Sequence, residues 1–80
     1  MSAQPFQVNA FWDADAAVWV ANSENVPGLV TEAKFFDELQ QKLRSMIPEL
    51  LMLNQVIPEN YKDSISFELI SHAQETVEVA

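Results

Sequence analysis

Apolar and polar residues alternate from Phe6 to Trp12. Phe6, Val8, Ala10 and Trp12 fall on one side; Gln7, Asn9 and Phe11 fall on the other. A period of two marks a strand. Asp13-Ala14-Asp15-Ala16 reads as a turn, because Asp carboxylates accept hydrogen bonds from nearby backbone N–H groups. A second strand follows from Ala17 to Asn22, with Val18 and Val20 on one face and Ala17, Trp19 and Ala21 on the other. So short a connection makes the pair an antiparallel hairpin. After a loop at Ser23-Glu24-Asn25, Val26-Pro27-Gly28 places the chain's one Gly just behind a Pro. That order predicts a type II turn. Leu29-Val30-Thr31-Glu32 reads as a short third strand.

From Phe36 the period lengthens. Leu39, Leu43, Met46/Ile47, Leu50/Leu51 and Leu53 recur every three to four residues, with charged and polar residues between them. This is an amphipathic helix with one apolar stripe. Asp37 and Glu38 suit its first turn, where the helix dipole favours carboxylates. Pro48 cannot donate to the helical ladder and disfavours helix at Ile47, so a kink or break is expected there. Pro48 would then open a short second helix reaching about Asn54. Residues 54–63 read as a loop. Ser64–Ser71 alternates again, with Ile65, Phe67 and Leu69 on one side, and reads as a fourth strand. Val77 and Val79 lie in a tail that could extend it.

The expected fold is α+β, β-β-β-α-β, with one long kinked helix on a sheet. Both faces of the hairpin are apolar, and one helix covers one face. The face carrying Phe11, or that carrying Trp19, needs another cover, and a second copy in a two-fold dimer supplies one.

Eighty residues make a single domain, 1–80. Apolar residues make up 49% of them, ample for so small a core. Twelve carboxylates face four basic residues, giving a net charge of −8. That balance opposes direct nucleic-acid binding, which relies on Lys and Arg at phosphates, and opposes docking on an anionic membrane. It favours a basic protein partner. With no Cys, no long apolar span and no basic leader pattern, the chain reads as cytoplasmic.

Catalytic signals are sparse. A single His and no Cys exclude paired-His sites, thiolate nucleophiles and thiolate metal sites. One Gly leaves no glycine-rich phosphate cradle. Asp13 and Asp15, with Glu24 or Glu32, are the one set that could hold Mg²⁺ as in metal-dependent nucleases, but turn chemistry and a solvated face explain the same residues. No cofactor is expected. The residues singled out are interface candidates: Phe11, Trp12 and Trp19 as aromatic anchors, and Asp13, Asp15, Glu24 and Glu32 as their charge complement.

The runs Asp13–Ala21, Val26–Ala33 and Asp37-Glu38-Leu39 together resemble the N-terminal domain of HicB-type antitoxins. The shared features are an Asp-rich hairpin turn, an aromatic second strand, a Pro-Gly turn, a Val-Thr-Glu strand and an acidic helix start. Met46–Leu51 with Asn54 is similar to a HicB-like group of small bacterial domains. The resemblance spans roughly residues 6–57. It implies a partial RNase H-like fold without catalysis and oligomerisation through the domain. It also implies capture of a small basic RNA-cleaving toxin of the HicA type. The antitoxins usually add a DNA-binding segment, and after residue 57 no such separate domain is expected here. They cap the helix with Ser or Thr where this chain has Phe35. The rival expectations are an orphan homo-oligomer with an unidentified ligand and a remnant metal-dependent nuclease.

Overall fold

The computed structural model describes residues 5–79. Strand β1 is Phe6–Asp13, β2 Val18–Asn22, β3 Val30–Ala33 and β4 Phe67–His72; helix α1 is Phe36–Leu53. The order β-β-β-α-β is the expected one. The sheet runs β3-β2-β1-β4, with β1 antiparallel to β2 and parallel to β4. β2 and β3 are antiparallel.

The hairpin turn forms as its carboxylates predict. Asp13 Oδ1 accepts from the N–H groups of Asp15 (3.1 Å) and Ala16 (3.2 Å). Strand β2 starts one residue later than expected, because Ala17 takes the left-handed φ of 56° that closes the turn. The type II turn forms too: Leu29 N–H donates to Val26 O (3.2 Å), and Gly28 has the positive φ of 77° that its third position demands. Ser23 fastens this loop to β1, its hydroxyl donating to Gln7 O and accepting from the N–H groups of Asn25 and Val26.

Direct pairs place side chains on a common face. Ala10 opposes Ala21, Ala21 opposes Thr31, and Trp19 opposes Ala33. These small residues let a helix approach closely. Leu39, Leu43, Ile47 and Leu51 of α1 are buried with Val8, Ala10, Ala21, Val26, Leu29 and Ala33 as one core. Phe6, Ile57, Ile65, Phe67 and Leu69 pack against it. The helix therefore covers the Trp19 face, and the Phe11 face lies opposite.

Three expectations need correction. The break at Pro48 does not occur: residues 36–53 form one helix with Pro48 inside it. Buried Ile47 and Leu51 on either side hold both halves on the sheet, which outweighs one lost backbone bond. Strand β3 is shifted by one residue, to Val30–Ala33. Strand β4 begins at Phe67, not Ser64, because its partner β1 begins at Phe6 and Pro5 before it offers no N–H. The ladder opens with Phe6 N–H donating to Ser66 O at 2.9 Å.

Both ends of the helix depart from common capping chemistry. Phe35 occupies the N-cap, with extended backbone and no side-chain cap bond, and is 61% exposed. At the other end Gln55 takes φ 59°, donates to Met52 O (3.1 Å), and is followed by Val56 N–H to Leu51 O (2.8 Å). This is a Schellman motif with Gln where Gly is usual. Asn54 Nδ2 donates to Leu50 O at 2.8 Å and to Pro27 O at 3.4 Å, joining the helix end to the Pro-Gly turn.

Candidate protein-binding face

Odd positions of β1 and even positions of β2 point away from the helix, so Phe11, Val18 and Val20 share the uncovered face. Phe11 opposes Val20 on one side and His72 on the other. Ile70 of β4 and Val30 of β3 join the same face. Phe11 is 42% exposed and Ile70 38%. The His72 ring stacks on Phe11 with centroids 4.8 Å apart and planes 13° from parallel, and its Nε2 lies 3.3 Å from Asn9 Oδ1. That stack fixes the Phe11 ring and broadens the apolar surface it offers.

Among the strand residues the charge on this face is one-sided, and at the β3 edge the Lys42 ammonium of α1 donates to Glu32 O at 2.6 Å. Asp13 lies at its turn end, Glu32 on edge strand β3 and Glu68 on edge strand β4. No Lys or Arg stands among the strand residues of the face. An apolar centre thus carries carboxylates at three edges.

The seven interface candidates separate in space. Phe11, Asp13 and Glu32 belong to the open face. Trp12 and Trp19 oppose each other on the helix face, edge to face with centroids 5.6 Å apart. Trp19 meets Phe36 in a second edge-to-face contact at 5.1 Å. Trp12, 44% exposed, borders a groove of about 450 Å³ lined also by Ala14, Trp19 and residues 73–75. Asp15 sits in the hairpin turn. Glu24 lies in the loop tied to Gln7, at the far end of β1. Of the four carboxylates considered for Mg²⁺, Asp13 and Asp15 share the hairpin turn while Glu32 stands on edge strand β3 and Glu24 at the far end of β1, and among the described residues no three His, Cys, Asp or Glu side chains gather as a metal site. Val18, Val20, Val30, Glu68, Ile70 and His72 were missing from the sequence-based set. The alternation in each strand, read together with a pairing of Asp13 to Val18, is the signal that finds them.

Among the described residues no helix is long and apolar enough to cross a membrane. No curated protein matches the chain. A crystal structure of hypothetical protein TTHA1013 from the extremely thermophilic bacterium Thermus thermophilus is similar, with 42% identity and a TM-score of 0.69. The match covers 95% of this chain and 100% of that one. Residues 5–79 match a family described as a domain of unknown function, DUF1902, and the chain belongs to that family.

Proposed function

We propose that this is a non-catalytic protein-binding domain whose open sheet face captures a basic partner chain. One observation carries the reading: no helix covers the row Phe11, Val18, Val20 and Ile70, in which Phe11 and Ile70 are exposed and Val18 and Val20 half-buried, and Asp13, Glu32 and Glu68 edge it with no cation among the strand residues beside them. Uncovered apolar surface of this kind marks an interaction site. The carboxylates select a partner of opposite sign and raise its rate of encounter. A second copy complements this face less well than a basic chain, because its strands add carboxylates and no Lys or Arg. Self-association belongs to another surface.

The likeness to HicB-type antitoxins suggests the class of partner, a small basic RNA-cleaving protein silenced when its RNA-binding surface is covered. The sheet order and the parallel β4 are compatible with a partial RNase H-like fold, as that likeness implies. A reducing, cytoplasmic setting fits this role.

The experiment is capture from native lysate on the immobilised chain at low salt, followed by elution in high salt. The expected eluate contains a small basic protein that cleaves RNA alone and stops on addition of one equivalent of the chain. An eluate without a basic protein, or cleavage unaffected by the chain, contradicts the reading.

A further inference from the structure

Resting on the proposed self-association, we infer that residues 73–79 form an exchange arm that pairs with the outer edge of β4 in a second copy. The arm leaves the sheet where β4 ends opposite Phe11. All seven residues are exposed, Val77 at 80% and Val79 at 95%. None of the described backbone hydrogen bonds involves them. The whole molecule is correspondingly open. Its radius of gyration is 15.0 Å, against about 12 Å for a compact domain of this length. It exposes 6320 Å², roughly 1,500 Å² more than the size scaling gives for a folded 9.0 kDa monomer. A standard interface takes about 800 Å² from each partner.

The acceptor is the outer side of β4, which among the described residues pairs only through its β1 side. In a two-fold antiparallel pairing the numbers of opposed residues have a constant sum. Placing Val77 opposite the partner's Phe67 and Val79 opposite the partner's Ile65 puts four apolar side chains on the helix side of the joined sheets. There Phe67 and Ile65 already pack against the core. The same register sets Glu78 against Ser66 and Thr76 against Glu68. Shifting by two, so that Val77 meets Leu69, sets Glu78 against Glu68, and like charges directly opposed are unfavourable. Shifting by one moves both valines to the other side. The favoured register closes the exposed edge of β4, and two arms exchanged about one axis give a closed dimer. Both open faces stay free for partners.

Light scattering on the full chain at micromolar concentration should give twice the monomer mass. Val77→Lys with Val79→Lys should raise the dimer dissociation constant by at least about 100-fold while leaving the far-UV circular dichroism unchanged. Because the chain has no native Cys, Thr76→Cys with Glu68→Cys reports the register directly. These positions lie eight residues apart in one copy, roughly 26 Å if extended, so mild oxidation should link two copies rather than one. A monomeric wild type overturns the inference. So does a dimer that survives both lysines, or a double-cysteine variant that stays unlinked. Capture of a basic partner by the monomeric lysine variant separates failure of the arm from failure of the open face.

Discussion

Replacing Gln55 by Gly should stabilise the fold by about 1 kcal/mol. Gln55 holds φ 59° one residue past the helix cap, where a side chain crowds the following carbonyl. That crowding costs roughly 1–2 kcal/mol. Gly removes it and returns about 0.5–1 kcal/mol of the gain through the wider freedom of its unfolded chain. The side chain is exposed, so little packing is lost. Both bonds of the motif, to Met52 O and Leu51 O, run through the main chain and survive. In a domain of this size 1 kcal/mol corresponds to about 4–8 °C in Tm. Urea unfolding followed by circular dichroism measures the difference, with an unchanged denaturant slope showing that the free energy alone has moved. Ala17→Gly should share the sign, since Ala17 sits at φ 56°. Gly28→Ala should reverse it by about 1 kcal/mol, for conformational reasons alone: the added Cβ meets only Leu50 Cδ2, at an ordinary 3.8 Å. A less stable Gln55→Gly, or a more stable Gly28→Ala, refutes the reasoning.

Three further substitutions test the packing and the helix ends. Pro48→Ala should raise stability by about 1–2 kcal/mol in thermal unfolding, because Ala restores one helical bond and loses some of that gain to a freer unfolded chain. Phe35→Ser should add about 1 kcal/mol by supplying the missing cap acceptor, measured as a rise in the urea midpoint. Leu43→Ala, at the centre of the core, should cost about 2–5 kcal/mol, a large part of the total a chain this short can hold.

How much of this was legible depended on whether one residue type could satisfy a local rule. Asp13 and Pro27-Gly28 announced their turns because few other residues do that chemistry. The helix was legible through its leucine stripe. Its end near Asn54 was legible as well, but the cap that closes it was not, because Gln55 holds a position usually read from Gly. Pro48 misled for the opposite reason: a strong local signal gave way to burial of Ile47 and Leu51. The choice of covered face needed the third dimension. Alternation offered two apolar faces, and the helix took the one where Ala10, Ala21 and Ala33 leave room for its leucines. The bulkier Phe11, Val18 and Val20 stayed outside. The candidate site was legible in part, since Phe11, Asp13 and Glu32 share the open face while both tryptophans lie behind it.

The most direct test of the open face as the binding surface is a titration of the salt-eluted partner onto fluorescently labelled chain. Wild type, Val20→Lys and Gln41→Lys are compared. Both substitutions add one positive charge, the first at the centre of the open face and the second on the exposed side of the helix. The account predicts that Val20→Lys weakens binding by at least about 100-fold, as for a central hot-spot position, while Gln41→Lys changes it only a few-fold through the overall field. Equal affinity of Val20→Lys and wild type would contradict it.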